Sequence, residues 1–274
     1  MVNTYNNIDS FWETAHALYP NATDRELASF VIEYIGQDSS ALSEEDLLNV
    51  LQYKSISTST SYITVAENGN YQELSEEEFA LMPLDIYNSP DGYMKLETNY
   101  ALKRTVGSEK YFGVWVCATW LKWPAIALND VLILSTNGVF DSSHNESAYV
   151  NQTFYCNSLS ICSKYSLVNR TVNKNSPIKD DLILKYSNYT PYISFVPLSP
   201  KCNYCGGPAK DIYFRAYLSY GIITSGTCNI QAHYGHTTIG ITDIGVGIKN
   251  GEVTLTPKLG AQITQYDARP VTVK

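Results

Sequence analysis

Four residues of the chain have side chains that could together bind a metal ion. Cys202 and Cys205 have the spacing of a zinc knuckle, and His233 and His236 follow further along. Thiolates and imidazoles are the usual ligands of a tetrahedral zinc site. The gap between Cys205 and His233 is much longer than in a zinc finger, however, and residues three apart on a strand point to opposite faces. The sequence therefore favours a disulfide role for the cysteines and ordinary strand positions for the histidines, and it predicts no cofactor.

The residue types needed for acid, base or nucleophilic catalysis are present, but no catalytic pattern is. His144 lies among a serine and acidic residues in the polar segment 141–146. A working triad is normally assembled from separated segments on a rigid frame, which neighbours along one loop are not. The acidic runs at 44–46 and 76–78 fall in the first turns of predicted helices, where carboxylates favour the helix dipole. The sequence thus predicts no catalytic residue, and a hydrolase with an unrecognised loop site is only an alternative.

Six cysteines in a chain with few charges suit disulfides in an oxidising compartment. The candidates are Cys117, Cys156, Cys162, Cys202, Cys205 and Cys228. Cys156 and Cys162 bracket a short polar loop, so a local bridge between them is expected, while the other pairings stay open. The alternative is that the cysteines are buried thiols of a cytosolic protein.

Tyrosine is the most conspicuous side chain for recognition, with 22 copies against 17% charged residues. Exposed tyrosines among Asn and Ser bind protein or glycan surfaces well. The candidates are Tyr186, Tyr189, Tyr192, Tyr213 and Tyr217. The alternative is that these tyrosines cover a core and leave only the hydroxyl in water. The net charge of −8 argues against nucleic acid or an anionic membrane as an electrostatic partner.

The segment 237–264 alternates apolar residues with Gly and Thr on both sides of Asn250-Gly251. Arms of about ten residues with this alternation are typical of a membrane-inserting β-hairpin. An edge hairpin of a soluble sandwich has the same alternation, and Pro257 and Lys258 favour that alternative. The alternation changes phase at Thr242-Asp243, which predicts a β-bulge there.

Helical periodicity is confined to residues 1–54, and it predicts a helical N-terminal module. Thr23 with Glu26 forms a capping box before an apolar stripe that ends near Gly36, and Ser43 with Asp46 opens a second helix. A third short helix is predicted over 11–18. Residues 55–92 read as a hairpin around Asn68-Gly69 followed by a connector.

The remainder, 93–274, reads as one antiparallel β-sandwich domain, so the predicted fold class is mainly β. Residues 111–123 are apolar at both odd and even positions, which predicts a central strand covered on both faces. Further strands are predicted at 147–156, 165–173, 181–187, 192–196, 210–223, 227–234, 237–248 and 252–264. None of the intervals has the length and pattern of a crossover helix, so the sheets are expected to be antiparallel.

The runs Ala118–Pro124 and Asn129–Val131, with the closing segment Gln265–Lys274, resemble stretches of uncharacterised secreted proteins of Gram-positive bacteria. The resemblance covers about residues 55 to 274. It implies export and a β-rich fold, but no activity. We accordingly expect the signal peptide to have been replaced by Met1.

The leading functional hypothesis is a secreted or surface-exposed, non-enzymatic β-sandwich protein that binds an unidentified protein or glycan. The first alternative is a membrane-active, pore-forming protein that uses the 237–264 hairpin, and the second is the hydrolase.

Overall fold

The computed structural model of the chain describes most of the β-rich part and less of the N-terminal fifth. The described residues are 2–5, 17, 19–34, 39, 44–49, 51, 55–65, 71–81, 92–122, 130–141, 147–156, 165–172, 183–187, 190–195, 209–239, 244–249, 252–257 and 262–274.

The N-terminal helices begin where the capping residues predict. Helix α1 (Asp24–Tyr34) starts after Thr23, whose backbone N–H donates to Glu26 Oε2 at 2.7 Å. Helix α2 (Glu44–Asn49) follows Ser43, and helix α3 (Glu76–Ala80) carries a full capping box between Ser75 and Glu78. The helix predicted over 11–18 lies outside the described residues. Among the described helices, none is long and apolar enough to cross a membrane.

Sheet A contains the longest strands of the chain, and every pairing in it is antiparallel. Its main order is β1-β2-β4-β5-β12-β8-β9, with β3 also beside β2 and β7 beside β12. The strands are β1 (Val2–Tyr5), β2 (Ser55–Val65), β3 (Tyr71–Leu74), β4 (Gly92–Val106), β5 (Glu109–Lys122), β7 (Val139–Phe140), β8 (Ser147–Cys156), β9 (Tyr165–Val172) and β12 (Ala209–Thr224).

The position of β5 confirms the prediction of a central strand. It lies between β4 and β12, and residues 112–120 are buried at every position, so both faces are covered. The predicted N-terminal module is not wholly helical, because β1 adds an edge strand to sheet A through Val2 opposite Ser59.

Sheet B is the second layer, in the order β10-β11-β6-β13-β16, with β17 also beside β13. The strands are β6 (Asp130–Thr136), β10 (Ile183–Ser187), β11 (Thr190–Phe195), β13 (Cys228–Ile239), β16 (Gln262–Asp267) and β17 (Val271–Val273). A separate hairpin consists of β14 (Ile244–Lys249) and β15 (Glu252–Pro257). The strands predicted at 237–248 and 252–264 are therefore each divided between sheet B and this hairpin.

One hydrophobic core fills the space between the two sheets, as expected for a sandwich. Sheet A contributes Val114, Val116 and Trp120, and sheet B contributes Leu132 and Tyr234, with other apolar residues on the same faces. The chain is therefore mainly β, with two antiparallel sheets packed face to face and short helices near its N-terminus.

A buried carboxylate ties two strands of sheet B together inside this core. Asp130 of β6 is fully buried and accepts hydrogen bonds from Tyr234 Oη at 2.6 Å and His236 Nδ1 at 2.8 Å, both on β13. Burial, followed by the charge of Asp130, raises the pKa of Tyr234 well above its usual range. The phenol therefore stays protonated and continues to donate to the carboxylate. Both of its donors lie shortly before the point where β13 leaves sheet B.

Replacing Asp130 tests this tie. Asp130→Ala leaves two buried donors without their carboxylate and should lower the free energy of unfolding by about 3–5 kcal/mol. Tyr234→Phe removes one hydrogen bond to a charged acceptor and should cost about 1.5–3 kcal/mol. Both values are measured by urea unfolding.

The control is the exposed ion pair of Arg25 with Glu44, 3.4 Å apart. Glu44→Gln should leave the unfolding midpoint unchanged because such exposed pairs contribute little. If Asp130→Ala unfolds at the same midpoint as this control, Asp130 does not hold the strands together.

Candidate functional site

The β14–β15 hairpin lies over the outer face of sheet B, the face turned away from sheet A. Val246, Val253 and Leu255 of the hairpin pack on a small apolar cluster of this face. The cluster consists of Val131, Ile133 and Tyr192, with Ile263 packed against it. Along β15, Val253 and Leu255 are half-buried while Glu252, Thr254 and Thr256 are exposed, so the hairpin is amphipathic as its sequence predicts.

A glycine in β13 makes room for the closest contact of the hairpin. A Cβ atom built on Gly235 would lie 2.4 Å from Leu255 Cδ1, well inside van der Waals contact. The Leu255 side chain therefore lies directly over the Gly235 backbone. Any side chain at Gly235 would have to displace it.

No backbone ladder joins the hairpin to sheet B. The described residues of β14 and β15 pair only with each other and form a separate two-stranded sheet. One side chain reaches across, because Gln265 Nε2 of β16 donates to the Val253 carbonyl at 3.5 Å. The hairpin is thus held mainly by the half-buried apolar side chains.

A line of polar side chains crosses the same face beside the hairpin. Ser135 Oγ of β6 lies 2.6 Å from His233 Nε2, and His233 Nδ1 lies 2.7 Å from Asp267 Oδ1. Gln265 Nε2 donates to the same carboxylate at 2.9 Å. Burial tends to raise the pKa of Asp267, but the hydrogen bonds from His233 and Gln265 outweigh it and lower the pKa. The stabilisation from this carboxylate is present at neutral pH and is lost only as the pH falls through that lowered pKa.

The order serine, histidine and aspartate has the distances of a catalytic triad, but not its exposure. Ser135 and His233 are only 2% and 3% exposed, whereas the Asp267 side chain is 43% exposed. In a triad enzyme the nucleophile is accessible and the aspartate is buried. Ser135 also lies in a regular strand opposite Gln231, where backbone N–H groups serve the sheet and not an oxyanion hole. This line is therefore a hydrogen-bonded support of the face.

The predicted metal ligands are separated by the fold. His233 bonds to Ser135 and Asp267 on the outer face, while His236 bonds to Asp130 in the core. One ion cannot be bound by both histidines. Cys202 and Cys205 lie outside the described residues.

The predicted recognition tyrosines that are described are not exposed. Tyr217 is 1% exposed and stacks on Tyr149 with ring centroids 4.6 Å apart, and Tyr192 is 9% exposed in the cluster beneath the hairpin. These two tyrosines cover packed faces, so the prediction that they form an exposed surface is wrong. The side chains of Tyr186 and Tyr213, and all of Tyr189, lie outside the described part.

Two of the six predicted disulfide cysteines are thiols in the structure. Cys117 on β5 and Cys228 on β13 are buried and take part in no disulfide. Burial raises the pKa of the Cys228 thiol, although hydrogen bonds with Thr136 and Gly138 partly oppose the increase. Bridges among Cys156, Cys162, Cys202 and Cys205 involve side chains that are not described and stay a prediction.

The two arms of the segment keep one register across the place where the hairpin leaves sheet B. Ile239 of β13 is opposite Gln262 of β16, and Ile244 of β14 is opposite Pro257 of β15. Both steps, 239 to 244 and 262 to 257, are five residues long. The intervening 240–243 and 258–261 lie outside the described residues. β13 with β14 and β15 with β16 are therefore in register as the two arms of one long hairpin. The sequence predicted that hairpin but not its division.

No protein-family model matches the chain, and no curated protein matches its sequence. Among solved structures, the chain has some similarity to the NetB toxin of Clostridium perfringens in its membrane-inserted form, with 8% identity. The match covers 77% of this chain and 95% of that chain, with a TM-score of 0.20. A TM-score this low does not establish a common fold.

Filling the space over Gly235 should loosen the hairpin. Gly235→Val places methyl groups where Leu255 lies, and such overpacking costs about 1–3 kcal/mol. Because no ladder holds the hairpin, the strain should open it locally. Hydrogen exchange of the β15 amides should quicken about tenfold or more.

The matched control is Gly247→Val, since a Cβ atom there would meet only Thr254 atoms at 3.7 Å and beyond. This control should leave β15 exchange unchanged. Equal exchange in both variants would show that the Gly235–Leu255 contact does not hold the hairpin.

Proposed function

We propose that the chain is a membrane-active, pore-forming protein whose β14–β15 hairpin swings off sheet B and inserts into a lipid bilayer. The observation that carries this proposal is the single register shared by β13–β16 and β14–β15. Extension of the hairpin needs rotation at 240–243 and 258–261 but no new pairing between the arms. An edge hairpin with no second state has no need for this continuity.

The contacts of the hairpin make the release inexpensive. No ladder hydrogen bond to sheet B is broken, and the only side-chain bond to the hairpin among the described residues is the long one from Gln265 to Val253. The lost contacts belong to Val246, Val253 and Leu255, which are half-buried. Hydrocarbon would cover the same side chains again, so the bilayer offsets the loss.

The length of the extended arms suits a bilayer. Ile239–Lys249 and Gln262–Glu252 each span eleven residues. A tilted strand needs about 9–11 residues to cross the hydrocarbon region. The outer edges of one hairpin would have unpaired backbone groups in lipid, which is very costly. The active state therefore contains several copies whose hairpins pair edge to edge.

This function places the chain outside the cell that makes it, in agreement with the expected export. The binding-module hypothesis has less support, because two of its five tyrosines are buried. Binding to a surface remains a step that precedes insertion, through a partner that the described residues do not identify.

A reversible crosslink tests the proposal. In a Gly235→Cys/Leu255→Cys variant, a disulfide would join the hairpin to sheet B, since the two positions are in contact. In the Val246→Cys/Leu255→Cys control, a disulfide would join only the two hairpin strands, whose positions are register partners. The readout is dye release from phosphatidylcholine vesicles, with the unmodified protein carried through the same oxidation and reduction.

The first variant should release no dye when oxidised and should recover on reduction, while the control should release dye in both states. Equal release by the oxidised first variant would contradict the proposal. So would the absence of release by the unmodified protein.

A further inference from the structure

A β-bulge lies in the arm that leads from sheet B to the hairpin. Up to Thr237 opposite Ile263, residues of β13 and β16 pair in one register. Beyond it Ile239 is opposite Gln262, so β13 has one extra residue at this point. The register then stays unchanged through Lys249 opposite Glu252.

The position of this bulge decides which side chains share a face of the extended hairpin. On the second arm, every apolar side chain is at an odd position. These are Val253, Leu255, Pro257, Leu259, Ala261 and Ile263. In the present register Ile248, Val246 and Ile244 pair with the first three of them. Ile241 and Ile239, by contrast, would be opposite Gly260 and Gln262, on the polar face.

One displacement of the bulge removes this conflict. With the extra residue at Thr242-Asp243, Ile241 would be opposite Leu259 and Ile239 opposite Ala261. The pairs at both ends, His233 with Asp267 and Ile244 with Pro257, would be unchanged. Every apolar residue of both arms would then lie on one face, and the opposite face would have only Gly, Thr, Gln and charged residues.

We infer that extension moves the bulge from Thr237–Ile239 to Thr242-Asp243 and turns Ile239 from the face of Gln262 to the lipid-contacting face. This inference rests on the proposed function. The surface formed is a continuous apolar strip from Ile239 to Ile263 around the hairpin, and its partner is the acyl chains of the bilayer. Bulges adjust which way neighbouring side chains point without changing the pairing further along a strand.

Lysine substitutions separate this inference from the proposed function. A lysine on a lipid-contacting face strongly opposes insertion, and one on the water face does not. Ile239→Lys should slow dye release from phosphatidylcholine vesicles at least tenfold. Thr238→Lys, one position along, should release dye like the unmodified protein. Leu255→Lys and Thr254→Lys are the reference pair, because their faces are the same wherever the bulge lies.

Three outcomes are distinguishable. Loss of release in Ile239→Lys and Leu255→Lys, with release retained in the other two, supports the inference. Normal release by Ile239→Lys with loss in Leu255→Lys overturns the inference and leaves the proposed function standing. Normal release by Leu255→Lys overturns both.

An environment-sensitive fluorescent amino acid at Ile239 covers the case in which the lysine variant fails to fold. On vesicle binding, its emission should shift to the blue as at Leu255. An emission typical of water, with a blue shift at Leu255, would overturn the inference.

Discussion

The pairing between the two arms that run from β13 to β16 is the constraint on which the rest of this account depends. It is continuous in register but divided in space, since its base belongs to sheet B and its outer half lies folded over that sheet. Backbone groups of the outer half are satisfied within the hairpin itself. The hairpin therefore needs sheet B only as an apolar surface, and a bilayer provides such a surface too.

The core beneath the hairpin has the opposite character. Asp130 is fully buried and receives hydrogen bonds from Tyr234 and His236, so β6 and β13 are fastened together close to the point where the hairpin departs. On the outer face, Ser135, His233 and Asp267 link three adjacent strands. A rigid sheet with a loosely held hairpin is the arrangement in which one part can move while the remainder stays folded.

Sequence patterns predicted the elements but not their placement. The two-sided apolar run at 111–123 predicted that β5 is central, and capping residues predicted where α1 and α3 begin. The alternation in 237–264 predicted an amphipathic hairpin. It could not show that the hairpin folds back, because folding back depends on what Leu255 meets across the sheet. Ser135, His233 and Asp267 are far apart in sequence, so only the strand order brings them together. Tyr217 was misjudged because alternation cannot show that the outer face of sheet A is covered as well.

The most direct measurement is the distance between the hairpin and the sandwich, before and after the protein binds phosphatidylcholine vesicles. Spin labels at Thr254 of β15 and Val139 of β7 would be attached to exposed positions, and pulsed electron paramagnetic resonance gives their separation. An extended arm of eleven residues is roughly 36 Å long. The account predicts that the separation changes by on the order of 10 Å or more on vesicles that leak. An unchanged separation on leaking vesicles would contradict it.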